Sequence, residues 1–348
     1  MKCIRIFLIG IFCFYFHCLQ AKAPLFSANQ PGIRPHRVIR VCCAFGSELK
    51  VMGVPGYKLT QITGIENIGP HRFLGQKSEG NGIIYTRRGG FIDMAHLRDQ
   101  IDWTAYLYVQ LLNCKTTGVL KTIIGHEGGE KVLTTTMPPS LSENDRINLA
   151  AKIAYDLSMW HEISTWFGAT SVPFVPERYS SFSPEDAYSN MLGINIGIQA
   201  LHSMLPYEQA VTELIGKTLK DLDVVQNKQE TFLAFEDVRD IWWTRKKRLP
   251  SGKITLQRQL HVYPCLNPWL VPGWAKNDEE PVELKVPEIS ATGESLNNYY
   301  KLEFRLNCKF PFRKMFPERK DRSITQTDFD RVIAQIATEL TAKKSLFR

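Results

Sequence analysis

"SENDRINLAAKIAYDLSMWHEISTWFG", Ser142 to Gly168, carries the clearest helix signal in the chain. Ser142 can cap a helix, and Asp145 three residues on completes an approximate capping box. Ile147, Ala150, Ile153, Ala154, Leu157, Trp160 and His161 then recur at helical spacing, and Gly168 is a natural stop. His161 continues the apolar face and so points inward. Glu162 is turned by about 100° from it.

Upstream, "GGFIDMAHLRDQIDWTAY" (Gly89–Tyr106) also reads as a helix, continuing through "LYVQLL" to about Asn113. On a helix Ile92, Ala95, His96, Asp99, Trp103 and Tyr106 share one face. His96 and Asp99 are thus expected side by side among apolar neighbours. A carboxylate buried there is costly unless it is paired or ligates a cation.

Around these two helices the texture is mixed. "VIRVCCAF", "YKLTQIT" and "GIIYT" are strand candidates, and "VLKTIIG" and "KVLTTT" flank the turn-rich "HEGGE" as a hairpin. "SPED" (Ser183–Asp186) starts a further helix, with Glu185 and Asp186 placed where acids favour a helix N-terminus. Another begins near Pro206. After about Asp221 "ITLQRQLHVYP" and "YYKLEFRLNC" alternate like strands, and "TDFDRVIAQIATEL" closes the chain as a helix capped by Thr327. The fold class is α+β: several helices packed with short antiparallel strands, then a mixed C-terminal part ending in a helix. The reading divides the chain into residues 1–21, 22–37 (an extended arm), 38–220 (strands and helices with the candidate site) and 221–348.

The first 21 residues carry the compartment. A basic start, "MKCIR", precedes the eleven-residue apolar run "IFLIGIFCFYF", and small residues Ala21 and Ala23 follow. That is the layout of a cleavable secretory signal, too short to span a bilayer comfortably. Pro24 disfavours cleavage after Ala23, so Ala21 is the expected site, and the mature chain is periplasmic or secreted. Tyr15, Phe16 and His17 before Cys18 are too bulky for lipoprotein processing. Removing Lys2 and Arg5 with the signal lowers the net charge from +8 to +6. Five cysteines then remain, Cys42, Cys43, Cys114, Cys265 and Cys308, and an odd number leaves at least one thiol unpaired within the chain. No Cys-x-x-Cys occurs, which argues against a zinc knuckle.

No second apolar run approaches the roughly 20 residues of a membrane helix, so no transmembrane span is expected in the mature chain. Positive charge clusters in "RKKR" (Arg245–Arg248) and "KFPFRKMFPERKDR" (Lys309–Arg322). A solvated surface explains this charge, and peripheral contact with anionic lipid through the basic C-terminal part is the functional alternative. Nucleic acid is not expected, because no binding motif accompanies the charge.

His-Glu on a helix brings zincins to mind, but Thr165 stands where the second histidine belongs. A metal site remains open to the chain if His161 joins His96 and Asp99 across two packed helices, an open set suited to Zn2+. Glu162 would then serve as general base on the bound water, and His71, in the "IGPHRF" turn, as a loop contributor. His126-Glu127 lies on a turn and is expected to be solvated. Cys42 or Cys43 with a histidine would suit a cysteine hydrolase, although nothing identifies the partner.

"RVCCAFG", "GIIYTRRGGFIDMAHLRDQIDWTAYL", "WHEISTWFG" and "FSPEDAYSNMLG", in this order, resemble an uncharacterised family of exported bacterial proteins, a domain of unknown function with some members called lipoproteins. The resemblance implies an envelope protein in which the His96 and His161 helices are signature elements. It supplies no activity. Two expectations follow from the residues: a metal-dependent hydrolase acting on an envelope component, lipid or polymer, or a non-catalytic envelope protein whose polar groups lock two helices.

Overall fold

The computed structural model describes residues 39–40, 57–58, 61–113, 118–170, 177–244, 246, 254–275 and 280–345. The signal, the arm, Cys42, Cys43 and Cys114 lie outside the described residues, as does most of "RKKR". Cys265 and Cys308 are free thiols.

Among the described residues there are seven α-helices and several short sheets, so the protein is α+β. The helices are α1 (Met94–Asn113), α2 (Glu143–Trp166), α3 (Pro184–His202), α4 (Tyr207–Asp221), α5 (Lys228–Asp237), α6 (Phe312–Met315) and α7 (Phe329–Ser345). Helices α1, α2 and α3 pack on one another, and α4 packs on α3. Close approach of α1 and α3 depends on Gly193: a Cβ there would lie 2.5 Å from the Leu97 carbonyl oxygen.

The cap at α2 forms as expected: the Asp145 N–H donates to Ser142 Oγ at 3.0 Å. Gly168 ends the helix with φ +91°, a left-handed conformation that glycine adopts without a Cβ penalty. The start of α1 differs from expectation. Gly90–Asp93 is a strand paired antiparallel with Gly82–Thr86, and the helix begins only at Met94. The turn into that strand puts Gly90 at φ +67°, which breaks any helix running in from Gly89. The face carrying Asp99, Trp103 and Tyr106 is the half-exposed one; Leu97, Ile101, Ala105 and Leu111 are fully buried.

The hairpin Val119–Gly125/Gly129–Thr136 forms, and Tyr300–Leu306 pairs antiparallel with Gly129–Thr136 along its length. Ser323–Thr325 completes this four-stranded sheet. The texture change near Asp221 therefore does not separate two sheets. One hydrophobic core runs through both parts, and Trp160 of α2 stacks on Phe304 (ring centroids 4.1 Å) and Phe310 (5.4 Å). "ITLQRQLHVYP" contributes only the two-residue strand Ile254–Thr255. Ahead of the C-terminal helix, Thr327 lies within a 3-10 turn, Gln326–Asp328, which Thr325 and Asp328 close with a reciprocal capping box.

No helix among the described residues is long and apolar enough to cross a membrane. Much of the Lys309–Arg322 charge is engaged internally. Arg319 binds Asp328 at 2.6 Å and lies over the Phe316 ring, and Arg322 lies over Phe312 and donates to the Phe310 carbonyl.

Candidate metal centre

The strand-to-helix switch at Asp93 builds one wall of the site. Asp93 caps α1: its Oδ1 accepts from the Ala95 N–H at 2.7 Å and the His96 N–H at 3.1 Å. This fixes His96 one turn into the helix, 7% exposed, facing α2 and α3. Its ring centroid lies 6.1 Å from that of His161, and the planes are nearly perpendicular at 84°. Two histidines 65 residues apart in sequence thus meet. One ligand atom each from His96, His161 and Glu162 lie within 4.8 Å of one another. Around zinc, bonds of about 2.0–2.2 Å hold ligand atoms roughly 3.3 Å apart, so an ion would draw the three together.

Glu162 is held from the far side. Its Oε2 accepts from the Phe182 N–H at 2.6 Å, while Oε1 is buried without a partner. Phe182 itself sits at φ +58°, a left-handed conformation costing a non-glycine residue about 1–2 kcal/mol. The Gln259 N–H, bonded to the Phe182 carbonyl at 2.8 Å, helps hold it there. Strain of this kind persists where surrounding structure over-determines it. Thr165, at the position where a zincin carries histidine, is bonded to Ser181 Oγ at 2.8 Å and to the His161 carbonyl.

The start of α3 supplies two further carboxyls. Ser183 Oγ lies 2.7 Å from Glu185 Oε1 and 2.9 Å from Asp186 Oδ2. A hydroxyl has one proton for two carboxyl neighbours, so one of the pair keeps its own. Burial, then mutual repulsion with Asp186 for Glu185 and with Asp93 for Asp186, pushes both pKa values well above the carboxylate range. Burial likewise raises Asp93. Glu162 is pushed up to about 7 by burial and by Asp186. Asp186 Oδ1 lies 3.4 Å from His96 Nδ1, close enough for an ion pair but outside hydrogen-bonding geometry, so both atoms lack a hydrogen-bond partner.

His161 is the solvent-facing member, its side chain 29% exposed. Its Nδ1 lies 2.5 Å from Glu127 Oε1 on the turn between the hairpin strands. Burial opposes its charge, but Glu127 beside it wins and raises the imidazole pKa to about 10. Glu127 is correspondingly held down at about 2: burial opposes, and His161 and Lys131 outweigh it.

Of the five residues singled out from sequence, the structure brings three together: His96, His161 and Glu162. Glu162 brings its carboxylate to the same group as the two histidines, so it stands as a candidate ligand as well as a candidate base. Asp99 is not part of the group. Its carboxylate accepts from Arg40 at 3.0 Å and its side chain is 42% exposed, because the helix turns that face outward. His71 is also elsewhere, buried with Nε2 3.0 Å from Asp102. Asp93 is not foreseen from sequence, and Glu127, Glu185 and Asp186 are set aside there, the first as solvated and the other two as explained by their place at a helix start. Glu127 is bonded to His161 rather than solvated, and the two α3 acids point inward, 2% exposed, instead of merely meeting the helix dipole. For Glu127 the "HEGGE" glycines were the available signal.

His96, His161 and Glu162 thus meet between α1 and α2, with the buried acids Asp93, Glu185 and Asp186 nearby. The chain belongs to the family described as Protein of unknown function (DUF4056), which matches residues 30–272. That span contains every residue of the cluster. No curated protein and no solved structure matches the chain.

Proposed function

We propose that the protein is a metal-dependent hydrolase, with His96, His161 and Glu162 as ligands and Zn2+ as the ion that this nitrogen and oxygen set suits. One observation carries the reading. Five buried polar atoms on and beside the cluster, Asp93 Oδ2, His96 Nδ1, Glu162 Oε1, Glu185 Oε2 and Asp186 Oδ1, have no hydrogen-bond partner. Native proteins pair the great majority of such atoms, and a bound ion is one of the few explanations for a group of them. Four of the five are carboxyl oxygens, whose charged forms burial and mutual repulsion disfavour until a cation joins them.

The same observation weighs against the alternative of a non-catalytic protein locked by a polar network. A locking network is satisfied; a half-satisfied one costs stability. When bound, the ion supplies a water acidic enough to act as nucleophile near neutral pH. With an ion bound, Asp186, beside His96 and in contact with Ser183, would give up its own proton and could then accept one at the site. The exposed edge of His161 is the side open to substrate. With the N-terminal stretch read as an export signal, the substrate class is an envelope component, lipid or polymer.

The test is turnover by zinc-loaded protein of p-nitrophenyl esters, bis-p-nitrophenyl phosphate, peptidoglycan sacculi and phospholipid vesicles. The expected result is hydrolysis of at least one, lost on chelation and restored by zinc. Hydrolysis indifferent to chelation, or none with any of these from loaded protein, would contradict it.

A further inference from the structure

We infer that Glu127 is the positioning residue of the metal centre: it holds His161 so that Nε2, not Nδ1, meets the ion. This rests on the metal reading above. An imidazole has two nitrogens, and the one that bonds a carboxylate leaves the other to ligate. In His161 the bonded nitrogen is Nδ1, 2.5 Å from Glu127 Oε1.

The hairpin turn is built to hold that carboxylate still. The Trp160 indole N–H donates to the Glu127 carbonyl at 2.9 Å, tying the turn to the residue before His161. Gly128, at φ +70°, lies against the same ring: a Cβ there would sit 2.8 Å from Trp160 Cζ2 and 2.8 Å from Ser164 Cβ. Only glycine lets the turn come this close. Lys131 Nζ, 3.3 Å from Glu127 Oε2, fixes the second oxygen. At His96 the corresponding contact, Nδ1 to Asp186 Oδ1 at 3.4 Å, is outside hydrogen-bonding geometry, so no carboxylate fixes that ring as Glu127 fixes His161.

Glu127 touches neither ion nor substrate in this scheme; it acts through His161. Replacing it leaves the three ligands in place and frees the ring to rotate. Loss of such an outer partner costs roughly 10–100-fold in metal affinity.

The experiment combines zinc titration with histidine nitrogen NMR of the zinc-loaded protein. The wild type is expected to show His161 bound through Nε2, with its Nδ1 proton retained. Glu127→Ala is expected to bind zinc about 10–100-fold more weakly, and Glu127→Gln, which keeps an acceptor oxygen, less weakly than the alanine variant. Circular dichroism establishes that both variants are folded. Zinc held through His161 Nδ1, or equal affinity in wild type and Glu127→Ala, would overturn the inference and leave the metal reading standing. Absence of zinc binding by the wild type would overturn both.

Discussion

Glu162→Gln is expected to make the metal-free protein more stable at pH 8 while abolishing its hold on zinc. The carboxyl of Glu162 is raised from 4.5 in the unfolded chain to about 7 in the fold, by burial first and by Asp186 second. Below pH 4.5 both states hold the proton and the site costs nothing extra. As pH rises through 4.5 to about 7 the unfolded state ionises first, and folding becomes less favourable. Above that range the buried charge costs on the order of 3 kcal/mol. Glutamine cannot ionise, and its carbonyl can keep the Phe182 N–H bond, so about 1–3 kcal/mol should return. Urea unfolding in EDTA should show the gain at pH 8 and little of it at pH 5. Zinc should then stabilise the wild type, by about 2.7 kcal/mol at a hundredfold excess over Kd, and not the variant. Destabilisation of the variant at both pH values would mean that Glu162 is a satisfied structural group.

Asp102→Ala is expected to cost about 3–5 kcal/mol, the range for breaking a buried ion pair from one side. Asp102 accepts from Arg40 Nη1 at 2.7 Å, the Leu74 N–H at 3.0 Å and the Tyr207 hydroxyl at 3.3 Å, and lies 3.0 Å from His71 Nε2. Burial opposes its ionisation, but His71 and Arg40 hold its pKa at about 2, so its contribution is present above the unfolded value of 3.8 and fades as pH falls toward 2. Removing it takes one of the three carboxylate partners of Arg40, whose side chain is 2% exposed, leaving Glu79 and Asp99, and strands the buried His71 Nε2. Asparagine should recover part of the loss, since it keeps an acceptor. Chemical denaturation measures this, and a loss below about 1 kcal/mol would contradict it. Zinc stoichiometry of the folded variant should be unchanged, because this network is separate from the cluster. His71 thus belongs to the part of the molecule that holds itself together.

How far the sequence could be read follows the range of each signal. Helix α2 was legible because cap, period and stop are local. The hairpin and Gly82–Thr86 were legible for the same reason. His96 and His161 stood out as polar groups on apolar faces, and only packing could show that they face each other. Asp99 misled because helical spacing predicts neighbours along α1 but not which neighbour turns outward; Arg40, 59 residues away, decided that. Glu185 and Asp186 had a sufficient local explanation at a helix start, which hid their second role. Glu127 depended on a turn folding back onto Trp160, a contact with no counterpart in the local pattern.

Metal content tests the central claim most directly. The purified protein, beside a folded His96→Ala/His161→Ala variant, would be loaded with zinc, desalted and analysed by plasma mass spectrometry. About one zinc per wild-type chain and essentially none in the double variant is the expected result. Equal metal in both, or none in the wild type after loading, would contradict it.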